Sequence, residues 1–249
     1  MSNRKNDTIL EKALQPFFDG VYDFLKIKYK RNYNADEDIA GCDLRFFGKD
    51  KDNTAFIIDE KCATDFYYKD LHTFCMELSA VSQDKNKQYK RYKGWFVDPN
   101  KNTEYYALSY VRADSKEDIK RKNIHSFETI IVSKEKITDY ILQTARKTLP
   151  KVKEISDIED IFTQRIRCGA VYTQKYEGDY PKGNKVVKYI SDGNYRWRFT
   201  KNLKVVWSIQ KDESPICICV NKDILSKLSC YHTKMVFNKD GEVVVTRIK

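Results

Sequence analysis

No apolar run in this chain approaches the ~18 residues that a membrane-spanning helix needs, so no such span is expected. The first residues, MSNRKNDTILEK, are polar and lack the apolar core of a secretory signal. There is no Walker A loop, no G-x-S-x-G elbow and no dinucleotide-binding glycine fingerprint. That argues against the common nucleotide-binding and serine-hydrolase chemistries. Internal repeats and low-complexity linkers are absent as well. The three histidines, His72, His125 and His232, show no metal or triad spacing and read as incidental. No Cys-x-x-Cys pair occurs among the seven cysteines. An odd cysteine count without a signal segment predicts a cytoplasmic protein with free thiols. Cys217 and Cys219, on one face of the run ICICV, read as small buried residues.

What is present describes a globular, basic chain. Its 249 residues suffice for one sizeable core, or for a domain with a smaller appendage. Hydrophobic residues make up 41% and aromatics 13%, which excludes a disordered tail. The formal charge is +10 and the pI about 9.1. A basic excess favours a polyanionic partner, because Lys and Arg release counterions from phosphate backbones.

Along the chain, helical spacing runs over residues 7–28, and Pro16 predicts a kink or two short helices there. The segments CDLRFFG and TAFIIDEKC read as two strands joined by the turn GKDKDN. LHTFCMELSAV, GWFVD and TEYYALSYV read as further strands, and QDKNKQYKRYK as a basic loop. Helices are expected over 134–148 and 152–165. Beyond them lie β segments (AVYTQKY, KVVKYIS, YRWRFT, KVVWSIQ, PICICV, EVVVTRI) and one short helix, NKDILSKL.

The chemistry-bearing feature is the strand pair. Side chains alternate along a strand, so Asp59 and Lys61 share one face and Glu60 takes the other. A short turn implies antiparallel pairing, which brings Asp43 into reach of the Asp59 and Lys61 face. Two carboxylates can hold a hard divalent ion that keeps several of its waters. A lysine beside them can position the attacking water and face a phosphate.

These residues resemble the D…(D/E)-x-K signature of the PD-(D/E)XK nuclease superfamily. The match is closer to a group of small nuclease-like proteins of phages and mobile elements. It is carried by Gly41-Cys42-Asp43, Ile58-Asp59-Glu60-Lys61, Thr73-Phe74-Cys75-Met76-Glu77-Leu78, Gly94-Trp95 and Thr103-Glu104-Tyr105-Tyr106. It covers roughly residues 41–112, with an echo at 214–225. Cys42 stands where the family's proline would precede Asp43.

The resemblance implies an α/β fold: a restriction-endonuclease-like αβββαβ core, its mixed central sheet flanked by helices, with extra C-terminal β structure. Residues 1–149 would form the core, and 150–249 a helix plus a β-rich part of the same or a second domain. It implies a Mg²⁺- or Mn²⁺-dependent nuclease acting on DNA ahead of RNA, and it is compatible with a homodimer. Asp43, Asp59, the backbone carbonyl of Glu60 and Glu77 would ligate the metal, with Glu11 ranked below Glu77. Lys61 would act on the attacking water.

Two basic stretches are candidate nucleic-acid contacts: Lys85, Lys87, Lys90, Arg91 and Lys93, and the strand-borne pair Arg196 and Arg198. In YRWRF the alternation places Arg196 and Arg198 outside and Tyr195, Trp197 and Phe199 in the core. Two other readings stand beside the nuclease: a non-catalytic nucleic-acid-binding module on the same fold, and a protein-interaction factor of a phage or mobile element.

Overall fold

The computed structural model describes residues 2–34, 36–37, 40–48, 55–83, 89–167, 171–173, 187–190, 194–209, 213–238, 240 and 242–249. The chain forms two compact units. The first comprises Met1–His72, Asn102–Lys136 and Leu225–Lys249; the second comprises Thr73–Lys101 and Ile137–Ile224. The boundary expected near residue 150 is therefore not where the chain divides. Residues 73–101 leave the first unit early, and residues 225–249 return to it.

The first unit is a helix on a mixed seven-stranded sheet. Helix α1 (Ser2–Phe24) buries Leu10, Leu14, Phe17, Phe18, Val21 and Tyr22. Those side chains share one core with Leu44, Ile58, Ala107, Phe127 and Ile131. Pro16 neither ends nor splits the helix. It sits on the exposed side, and burial of the opposite stripe offsets the ~3 kcal/mol an interior proline costs.

The sheet runs β1 (Lys28–Arg31), β2 (Leu44–Phe47), β3 (Ala55–Ala63), β6 (Tyr105–Arg112), β7 (Ser126–Ser133), β13 (Tyr231–Phe237) and β14 (Val243–Arg247). Only β3 and β6 pair in parallel; the other neighbours are antiparallel. The expected antiparallel pairing of the Asp43 and Asp59 segments is present, with Leu44 opposite Ile58. Strand β7 had no alternating signature because all eight of its residues are buried. A short helix, α2 (Lys116–Lys120), is capped by Ser115.

The second unit is built on another seven-stranded sheet. Its order is β5 (Tyr89–Lys93), β4 (Thr73–Gln83), β12 (Ile216–Asn221), β11 (Leu203–Ser208), β10 (Asn194–Thr200), β9 (Val187–Ile190) and β8 (Val171–Thr173). Helix α3 (Lys134–Arg146) matches the expected span. Helix α4 (Ile155–Arg167) buries Ile155, Ile158 and Phe162, and the Phe162 ring lies 6.4 Å from that of Trp197 at an 8° interplanar angle. Trp197 and Phe199 are fully buried, as the alternation predicted, whereas Tyr195, expected with them, is half-buried. Helix α5 (Lys222–Leu228) follows β12.

Three local expectations are corrected here. Residues 89–93 of the basic tract, read as loop, form strand β5 on the edge of the sheet. GWFVD is a turn, closed by Val97 and Asp98 N–H groups donating to the Gly94 carbonyl. A Cβ at Gly94 would lie 2.4 Å from the Glu77 carbonyl oxygen, so only glycine fits that approach. Finally, Cys75 and Cys219 are opposed in the β4–β12 register, with Cα atoms 4.0 Å apart, and form a disulfide. Free thiols remain at Cys42, Cys62, Cys217 and Cys230.

Candidate active site

Asp43 is set by its backbone on both sides. Its N–H donates to the Ile58 carbonyl at 3.0 Å, and its carbonyl accepts the Asn32 N–H at 2.8 Å. The Asn32 side-chain amide also donates to the Cys42 carbonyl at 2.7 Å. Gly41 takes φ 78°, which explains a glycine at the head of this step. So anchored, Asp43 reaches across to β3, and its Oδ2 accepts the Glu60 N–H at 2.5 Å.

Asp59 is 1% exposed. Its Oδ1 accepts a short hydrogen bond from Lys61 Nζ. Among the described residues no donor reaches Oδ2, although that atom is buried. Lys61 Nζ also lies 3.5 Å from the Glu60 carbonyl oxygen. The Lys61 side chain keeps 30% exposure, so the cluster opens to solvent at the lysine. Burial pushes the Lys61 ammonium down, but Asp59, Asp43 and Glu11 together push it well above the usual lysine range.

The last of those carboxylates is informative. Glu11 projects from an exposed position on α1 and contributes to the field at Lys61. Glu77 lies on β4, in the other sheet and the other unit; the neighbour of β3 beyond Asp59 is β6. Glu11 thus acts on Lys61 through its charge from α1, while Glu77, the carboxylate expected ahead of it, belongs to the second unit.

The opposite face of β3 carries residues that sequence reasoning missed. Arg31 grips the Glu60 carboxylate with two hydrogen bonds, Nη1 to Oε2 at 3.0 Å and Nη2 to Oε1 at 3.1 Å. Tyr22 O–H donates to Oε1 at 2.7 Å, and Arg31 Nε donates to Asp19 Oδ1 at 2.8 Å. Burial pushes the Glu60 carboxyl up, while Arg31 and Tyr22 pull it back. The available signal was Glu60 itself: a charge alternating onto the face that carries Ile58 requires a buried partner. Elsewhere in the first unit, buried His232 is not incidental. Its Nε2 bonds buried Glu128 Oε1 at 2.8 Å and its Nδ1 bonds half-buried Ser226 Oγ at 2.7 Å, so both ring nitrogens and the Glu128 carboxylate are satisfied.

The expected basic contacts separate. Lys85 and Lys87 lie outside the described residues. Lys90 and Lys93 are exposed on β5, with Lys90 Nζ 5.9 Å from the Tyr92 ring centre. Arg91 is committed to its own unit: Nη1 donates to Ser79 Oγ at 2.6 Å, and the guanidinium lies 5.3 Å from the Trp207 ring centre. Arg198 is exposed and Arg196 half-buried, on the face of β10 opposite Trp197.

Among the described residues, no three His, Cys, Asp or Glu side chains stand as a ready-made metal site. The donor set nevertheless suits a hard cation. Asp59 Oδ2 is a buried carboxylate oxygen with no donor among the described residues; Asp43 accepts the N–H of the next residue, Glu60, whose carbonyl oxygen lies 3.5 Å from Lys61 Nζ.

No family model, curated protein or solved structure matches the chain.

Proposed function

We propose that the chain is a metal-dependent nuclease of the PD-(D/E)XK type, hydrolysing phosphodiester bonds of nucleic acid, with DNA the favoured substrate. One observation carries the reading. Asp43, immediately before β2, and Asp59 and Lys61 on β3 form one cluster, and one oxygen of the buried Asp59 has no donor among the described residues. The order α1, β2, β3, with β2 antiparallel to β3, is in keeping with the first part of the expected core; its expected third strand, β4, belongs instead to the sheet of the second unit, and β6 runs parallel to β3.

In this reading Asp43, Asp59 and the Glu60 carbonyl hold Mg²⁺ or Mn²⁺, and Glu11 adds a carboxylate. The ion supplies a water of lowered pKa and charge neutralisation at the phosphate. Lys61, kept as an ammonium by its carboxylate neighbours, orients that water and faces the phosphate from the solvent side. Arg31 and Tyr22 lock Glu60 from behind and so hold the β3 backbone between Asp59 and Lys61. The deciding experiment is cleavage of mixed DNA and RNA by the wild type and by Lys61→Ala, with Mg²⁺, Mn²⁺ or EDTA. Cleavage that needs metal and vanishes in the variant is the expected result. Inertness of both proteins would remove the enzyme.

The non-catalytic binding module is the second reading. It is favoured by the exposed cations Lys90, Lys93 and Arg198, which can meet phosphates without a metal. Binding of nucleic acid that persists in EDTA, with no cleavage in any metal, would select it.

A further inference from the structure

We infer that the second unit carries a phosphate-binding face of its own, made by Arg196 and Arg198 of β10 and Lys204 of β11, which takes the phosphodiester backbone of a nucleic acid. It rests on the nucleic-acid reading for the choice of polyanion alone, and it needs no metal.

The face follows from register. Arg198 stands directly opposite Lys204, and Arg196 is two residues along the same strand, so all three cations share one side of the sheet. The other side holds Trp197, Phe199 and Val205, all fully buried. Directly opposed like charges destabilise a strand pair. Among the described residues, no acid stands beside these cations in the strand register. The nearest described acid traced across that face is Glu77, reached through Val206 and Cys217. Three strand spacings put it roughly 14 Å from Arg196, beyond the ~10 Å screening length of ordinary salt.

Two further observations point to an anion. Among the described residues, Arg196 Nε is buried with no acceptor. Burial, together with Arg198, lowers Arg196 below the usual guanidinium range, and burial with both arginines lowers Lys204. A phosphate supplies the missing acceptor for Arg196 and the missing negative charge for all three. The row ends on the Cys75–Cys219 disulfide, since Lys204 opposes Cys219, so the platform is cross-linked to β4.

The test is fluorescence anisotropy of a short labelled DNA duplex, and of the matching single strand, in EDTA over a series of salt concentrations. Loss of two phosphate contacts in the Arg196→Gln, Arg198→Gln double variant should lower the slope of log K against log salt by about 1.8 on the duplex. The Lys204→Gln variant should lower it by about 0.9, and it serves if the double variant melts early. Arg198→Lys should keep the wild-type slope. The pair Lys120→Gln, Arg121→Gln at the C-terminal end of α2 removes the same charge elsewhere and should also leave the slope intact. An unchanged slope in both the Arg and Lys204 variants would overturn the inference. So would an equal drop in the α2 control, or binding to phosphatidylserine vesicles in place of DNA. Asp59→Asn separates the two claims: it should abolish cleavage and keep the slope. A protein that never cleaves, yet loses slope as stated, sinks the nuclease reading and leaves this face standing.

Discussion

Lys61 Nζ hydrogen-bonds one oxygen of Asp59, and the other oxygen of the same carboxylate is buried with no donor among the described residues. A buried acceptor left open normally costs about 1–3 kcal/mol, which a bound cation would offset. With Asp43 and Glu11 acting on the same lysine, carboxylates outnumber cations in this cluster. A divalent ion should therefore stabilise the folded protein. Thermal melts in Mg²⁺ or Mn²⁺ at about 100 times the dissociation constant should gain about 2.7 kcal/mol. EDTA should remove the gain, and Asp59→Asn should show none. A melting temperature indifferent to every divalent ion would count against the site.

Lys61→Ala should leave metal binding in place and cut the cleavage rate by about 10²-fold or more. The lysine is the exposed edge of the cluster, so its loss removes a group facing the substrate and opens no core cavity. Single-turnover cleavage, alongside metal binding by calorimetry, separates the two effects. Equal loss of both would make Lys61 a structural residue.

Glu11→Gln should weaken metal binding more than Glu77→Gln does. Glu11 contributes to the field at Lys61, whereas Glu77 belongs to the other unit, its backbone packed against Gly94. Calorimetric titration with Mn²⁺ of both variants decides the order. A larger effect of Glu77→Gln would restore the ranking that the family resemblance suggested.

The legible parts of this chain were those with local cause. Alternation over IIDEKC placed Asp59 and Lys61 together and Glu60 behind them, and a short turn paired their strand with the one after Asp43. YRWRFT alternated strictly enough to assign Trp197 to the core and Arg198 to the surface. What stayed hidden was long-range. Nothing local tells β4 to leave the sheet of β3 and pair with β12, some 140 residues later, or opposes Cys75 to Cys219. Nor does residue spacing show that His232 meets Glu128, or that Arg31 reaches Glu60. Those contacts come from strand order, which a fully buried strand such as β7 does not announce.

Arg31→Ala should destabilise the first unit by about 3–5 kcal/mol, because it leaves the Glu60 carboxylate buried and unpaired. Their side chains are 7% and 9% exposed, so water screens the pair little. Urea denaturation of the variant measures the loss. Replacing the pair together, as Arg31→Met with Glu60→Leu, should recover most of it, since an apolar pair carries no desolvation penalty. If the single variant lost less than about 1 kcal/mol, the pair would be a minor surface contact, and its role in holding β3 would fall with it.

The cross-strand disulfide yields the last prediction. It closes a loop of 144 residues, and cross-linking so long a loop limits the unfolded chain more than it alters the native sheet. Reduction, or Cys75→Ser, should lower the stability of the second unit by about 2–4 kcal/mol. The register of β4 on β12 should survive, since the flanking pairs Met76–Ile218 and Phe74–Val220 are apolar and buried. Denaturant melts with and without reductant measure the first effect, and amide exchange on β12 measures the second. Thiol titration of the unfolded protein should find two more thiols after reduction than before. Equal counts would mean that the isolated chain keeps both thiols free, as its cysteine pattern alone suggested, and the stability effect of reductant should then be absent as well.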